Sequence, residues 1–152
     1  MNHEKSVHAL YTKLISAWND RNAEQMSSVF ESEGMMVGFD GSSIAGKSNI
    51  YEHLHDIFRN HVTAPFISIM KGIRFPKEDV ALLQAIVGMI PHGETNIKPE
   101  LNAIQTLVAI CNQDTWKVAH FQNTPAALHG RPELVAQMTA ELENQYNKKG
   151  VT

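Results

Sequence analysis

Asn102–Thr124, NAIQTLVAICNQDTWKVAHFQNT, is the stretch whose reading decides the fold. Ile104, Thr106, Val108 and Ile110 alternate with Gln105, Leu107, Ala109 and Cys111. After Asn112-Gln113-Asp114, a second run of strand formers extends from Trp116 to Phe121. Two such runs joined by a few turn residues predict an antiparallel hairpin. Both of its faces are largely apolar, which puts it in the middle of a sheet with helices over at least one side. Gln105, His120, Gln122 and Asn123 are the polar exceptions. A buried polar side chain needs a partner or a ligand, so these four point to a pocket.

Side-chain parity refines that picture. If Lys117 points outward, His120 and Gln122 share the inward parity of Trp116 and Val118 and face the helices. A turn at Gln113-Asp114 sets Gln105 opposite Gln122, and a slip of one residue would set Thr106 there instead. The opposite set, Thr106, Val108, Ile110, Ala119 and Phe121, would then form an apolar outer patch. A second copy of the chain is the symmetric cover for such a patch, so a homodimer through the sheet, with the C-terminal helix adding to the contact, is expected; the alternative cover is that helix folded back on its own sheet, which would allow a monomer.

Outward from the hairpin, Val7, Leu10, Tyr11, Leu14, Ile15 and Trp18 have the spacing of a helix with one apolar face, ending near Trp18. Asn22 can cap a short second helix over Ala23 to Phe30. Glu31 to Gly34 read as a polar loop before a short strand, Met35 to Phe39. Asp40-Gly41 signals a turn, with Ser43 to Ala45 pairing back. A third helix follows over Lys47 to Val62, with Ile50, Leu54, Ile57, Phe58 and His61 on its apolar face and Tyr51 at the edge. Phe66 to Phe75, with a bulge at Gly72, and Val80 to Ile90 are long strands. Arg131-Pro132 opens a last helix with an apolar stripe of Leu134, Val135, Met138 and Leu142. The order predicts an α+β domain: helices packed on one face of an antiparallel sheet that curls into a cone. Residues 1–130 make the domain, and residues 131–152 are a helix and tail appended to it.

Composition narrows the function. A chain of 152 residues with 43% hydrophobic and 19% charged content is long enough and apolar enough for one cored domain. The formal charge of −3, with no basic stripe, argues against nucleic acid. The lone Cys111 reads as a packed thiol. The N-terminus has no apolar signal core, and no 18-residue apolar run suggests a membrane span, so a cytoplasmic location is the expectation. No nucleotide fingerprint supports a nicotinamide or flavin, and no cofactor is expected. His53 and His55 lie two apart on a helix and so cannot converge on a metal; no metal site is expected. Gly41 to Ser48 spells G-x-x-x-x-G-K-S, but without a parallel βαβ context it carries no phosphate-loop meaning.

At several points the residues resemble a known family. The helix ending in Trp18-Asn19-Asp20, the segment Met26 to Phe30, the strand closing on Asp40-Gly41 and the Ala45-Gly46-Lys47 helix start resemble the nuclear transport factor 2-like (SnoaL-like) superfamily. Arg74-Phe75, Asp79 to Leu83, Gly88, Gln105 to Val108 and, most specifically, Trp116 to Thr124 resemble its SgcJ/EcaC-type group. The resemblance spans residues 5 to 126. It implies a conical α+β barrel, usually a homodimer through the sheet, with a pocket between sheet and helices. The superfamily's ketosteroid isomerases use a tyrosine and two carboxyl groups. The tyrosine and the base fall on Leu14 and Gly38 here, and Asn102 to Cys111 contains no carboxylate, so that mechanism is excluded.

The candidate site residues follow. His120 is the only plausible proton shuttle, since a free imidazole titrates at about 6.5. Tyr11, Trp18, Asp40, Tyr51, Gln105, Gln122 and Asn123 are the candidate ligand-binding residues, with Phe39, Met70 and Met89 as further apolar lining. Hydrogen-bonding groups without a buried carboxylate suit a neutral, largely apolar small molecule. Whether it is turned over is open, and the competing reading is a non-catalytic homodimeric interaction module with a vestigial pocket.

Overall fold

The computed structural model describes residues 2–151. Among these residues four α-helices, α1 (His3–Asn19), α2 (Ala23–Ser28), α3 (Lys47–Asn60) and α4 (Pro132–Lys149), accompany six strands. These are β1 (Phe30–Val37), β2 (Ser43–Ala45), β3 (Ile67–Lys77), β4 (Val80–Gly88), β5 (Ala103–Asn112) and β6 (Thr115–Pro125). They form one sheet in the order β2-β1-β6-β5-β4-β3. The fold is α+β.

Local chemistry sets the boundaries. Asn2 caps α1 through Lys5 N–H, and Asn22 caps α2 through Gln25 N–H, each at 3.0 Å. The hairpin turns on Gln113 and Asp114, both at positive φ (51° and 63°), the geometry that matches strand twist in a two-residue loop. The expected irregularity near Gly72 is present as a register shift between Met70 and Gly72.

Three expectations are corrected. The sheet is mixed, because β1 runs parallel to β6. Strand periodicity reveals that a strand exists and which face is apolar, not the direction of its neighbour. Second, α2 ends at Ser28 and β1 begins at Phe30, so the polar Glu31–Gly34 segment lies inside a strand. There β1 is irregular between Phe30 and Met35, which leaves Ser32 and Glu33 exposed while Gly34 stays buried. A Cβ on Gly34 would sit 2.9 Å from the Val118 carbonyl oxygen, so only glycine lets the two strands approach this closely. Third, α3 stops at Asn60, and His61 is its exposed C-cap rather than part of the apolar face.

The main core lies between the concave face of the sheet and α1, α2 and α3. Val7, Leu14, Met26, Ile50, Leu54, Leu83 and Leu107 are buried there. A smaller cluster lies on the opposite face, where Met138 and Leu142 of α4 cover Ile67 and Ile86 and contact Ile104. The C-terminal helix thus packs on its own sheet, and Lys71 pairs with Glu141 at its edge.

Candidate functional site

The site is built from the irregular part of β6. Val118 pairs with Ala109 and His120 with Val108, so Ala119 is an extra residue on this strand. A bulge of one residue exchanges inward and outward side chains downstream of it. Trp116 and Val118 face the core before the bulge, and Phe121, at 3% exposure, faces it after. His120 and Gln122 therefore stand on the other face, beside Val108 and Thr106, joined by a 3.0 Å hydrogen bond between His120 Nε2 and Gln122 Oε1. The expected inward direction of His120 and Gln122 and the outward direction of Phe121 are both reversed. Gln122 pairs with Thr106, the slipped register, and Gln105 pairs with Asn123.

Phe121 and Asn123 form part of the wall of a cavity of about 420 Å³ between the sheet and the helices. Trp18 of α1, Met26 of α2 and Leu54 and Ile57 of α3 form the helical wall. Met36, Phe66 and Met89 complete it from the sheet side. The Trp18 indole N–H donates to the Ala64 carbonyl at 3.0 Å, and Phe66 N–H donates to Asn19 Oδ1 at 2.7 Å. These two bonds tie the end of α1 to the segment that leads into β3 and fix the angle of the aromatic wall.

At the rim, Gly38, Asp40 and Ser42 of the β1–β2 turn meet His53 of α3. Asp40 accepts the Ser42 backbone N–H at 2.9 Å, the side chain-to-backbone closure that shapes such turns. Hydrogen bonds from the Ser42 backbone and hydroxyl, then the nearby His53, hold the exposed Asp40 carboxyl below the usual carboxylate range. It is an anion at neutral pH. No Lys or Arg lines the cavity among the described residues, and no cluster of three potential metal ligands occurs among them.

The remaining sequence candidates separate into two groups. Tyr11 and Gln105 are buried next to the cavity rather than in its wall, and Tyr11 Oη donates to Gln105 Oε1 at 2.7 Å. Burial pushes the Tyr11 phenol far above its ordinary range, more than its hydrogen bond with Ser68 lowers it. Tyr51 stacks on His55 with ring centroids 5.7 Å apart, away from the cavity wall. Trp18, Asp40 and Asn123, with Phe39 and Met89, are brought together; Met70 lies elsewhere. The sequence reading missed His53, Ser42 and Phe121. His53 and Ile57 are four apart on one helix and so share a face, a signal that was present.

Two buried side-chain atoms at this end have no hydrogen-bond partner among the described residues: Asn123 Oδ1 and Gln105 Nε2. They belong to residues directly opposite each other on β5 and β6.

No family model matches the chain, and no curated protein matches it. Solved structures do. A domain of unknown function with a cystatin-like fold from Nostoc punctiforme aligns at 19% identity, covering 97% of this chain and 94% of that one, with a TM-score of 0.79. A ketosteroid isomerase-like protein from Erwinia carotovora atroseptica aligns at 12% identity over 82% and 97%, with a TM-score of 0.68. An NTF-2 like protein of unknown function from Shewanella oneidensis aligns at 14% identity over 79% and 97%, with a TM-score of 0.61. At these identities what is shared is the architecture: this chain has the fold of nuclear transport factor 2-like and cystatin-like proteins.

Proposed function

We propose that this protein is a small-molecule-binding member of the nuclear transport factor 2-like superfamily, of its SgcJ/EcaC-type group. Its ligand is neutral and largely apolar. The observation that carries this reading is the cavity itself: about 420 Å³, walled by aromatic, Met and aliphatic side chains, with a few polar groups at its ends. That size and lining are those of small-molecule sites. The charge pattern selects among ligands. With Asp40 anionic at the rim and no Lys or Arg in the wall among the described residues, a carboxylate or phosphate would find no permanent cation to pair with. His53 and Asp40 are the titratable groups at the rim, and any proton transfer in this cavity would fall to them rather than to His120, which faces away.

The chain's two tryptophans make the test direct. In a Trp116→Phe background the remaining indole, Trp18, stands in the wall. Titration with 2-naphthol should quench its emission saturably, while 2-naphthoate should not. Unchanged Trp18 emission with both compounds would contradict the reading.

We also propose a homodimer formed through the outer face of the sheet. The observation favouring it is that α4 covers only one end of that face, at Ile67 and Ile86 with Ile104 at the margin. Leu82, Val108 and Ile110 beyond it are only half-buried in the single chain. A second copy of the same strip would cover them. Light scattering at micromolar concentration should give twice the 17.0 kDa chain mass; a monomer mass would dismiss the dimer.

A further inference from the structure

One polar residue of the cavity wall, Asn123, has Gln105 directly across the ladder behind it, and the free atoms of the two amides are complementary. Gln105 is fully buried, and its orientation is dictated by its neighbour. Tyr11 remains a neutral phenol and donates its proton to Gln105 Oε1 at 2.7 Å. That bond commits the carbonyl end of Gln105 and leaves Nε2, a donor, without a partner. Directly across the ladder, Asn123 lies in the cavity wall with Oδ1, an acceptor, buried and without a partner. Side chains on directly opposed strand residues start from Cβ atoms about 5 Å apart, so a ligand atom that moves the Asn123 side chain aside from Gln105 comes within reach of both. A buried donor and a buried acceptor left open each cost of the order of a hydrogen bond, and a ligand that satisfies both recovers that cost.

We infer that Asn123 and Gln105 form a recognition site for a hydroxyl group on the otherwise apolar ligand, the hydroxyl donating to Asn123 Oδ1 and accepting from Gln105 Nε2. This rests on the small-molecule reading above and adds the ligand's chemical class: a neutral alcohol or phenol. A carboxylate offers no proton to Asn123, an ether or ketone offers only an acceptor, and an ammonium only donors. A hydroxyl does both with one atom. The Tyr11 phenol is a positioning group, because it touches Gln105 and sets which end of that amide is presented.

Calorimetric titration with three probes of one skeleton tests it: 2-naphthol, 2-methoxynaphthalene and naphthalene. The wild-type protein should bind 2-naphthol at least about tenfold more tightly than either of the others, because they leave buried polar atoms unpaired. Asn123→Leu, whose fold is checked by its thermal melt, should bind all three within about threefold of one another. Asn123→Asp keeps the acceptor oxygen and should retain the preference for 2-naphthol over 2-methoxynaphthalene. Equal binding of the three probes by the wild type would overturn the hydroxyl site while leaving the pocket reading standing. No binding by any of them at their solubility limits would overturn both.

Discussion

Tyr11 shows how one side chain joins stability to the site. Its ring fills the core at 3% exposure, and its hydroxyl satisfies Gln105, a fully buried amide that would otherwise have neither end bonded. Tyr11→Phe removes the donor and leaves Gln105 Oε1 unpaired in an apolar setting, which should cost about 1–3 kcal/mol in urea denaturation. The same burial gives a pH signature. The phenol's folded value lies above the unfolded value of about 10, so the folded state holds its proton longer than the unfolded chain does. This contribution is fully present below pH 10 and is lost as pH rises beyond it. The urea midpoint should therefore fall above about pH 10, and Tyr11→Phe should flatten that limb. An alkaline limb unchanged by the substitution would contradict the assignment. Gly34 is a second such residue. Gly34→Ala forces a methyl against the Val118 and Glu31 carbonyl oxygens, at 2.9 and 3.1 Å, and should cost roughly 1–3 kcal/mol by thermal unfolding.

At the scale of the strand, a single extra residue decides which side chains meet the ligand. Without the bulge at Ala119, alternation from Trp116 would carry His120 and Gln122 into the core and Phe121 out of it. The substitution pair Phe121→Ala and His120→Ala discriminates between these arrangements. Phe121→Ala should cost about 3 kcal/mol in denaturant, and His120→Ala less than about 1. The reverse order would restore the unbulged strand. The hairpin, its Gln113-Asp114 turn and the helix stripes were legible in the sequence because periodicity and turn chemistry are local. The bulge was not, because Val118-Ala119-His120 contains no glycine or proline to mark it. The parallel β1–β6 pairing was illegible for a related reason: it joins residues such as Met35 and His120, far apart in the chain, and nothing local encodes the partner. The appended helix obeys the same logic of packing. Leu142 is fully buried against the sheet's outer face, and Leu142→Ala should cost about 2–5 kcal/mol. Lys71→Ala, which breaks an exposed pair with Glu141, should cost less than about 1.

Across the whole molecule, the sheet separates two surfaces with different work. The concave side, closed by α1 to α3, holds the core and the cavity; the outer side carries α4 and the His120–Gln122 pair. The architecture was readable from the order of elements, and Trp18, Asp40 and Asn123 line one cavity. No helix among the described residues is long and apolar enough to cross a membrane. Which face the hairpin amides address depended on three-dimensional register, and there the structure redirects attention from His120 to Asn123. A two-dimensional ¹H–¹⁵N NMR titration with 2-naphthol tests this most directly, since it reads both faces at once. Saturable shifts are expected at the Trp18 indole N–H and the Asn123 side-chain amide, with the His120 and Gln122 signals unmoved. Shifts centred on His120 and Gln122, or none at Trp18 and Asn123, would contradict the placement of the ligand site inside the cone.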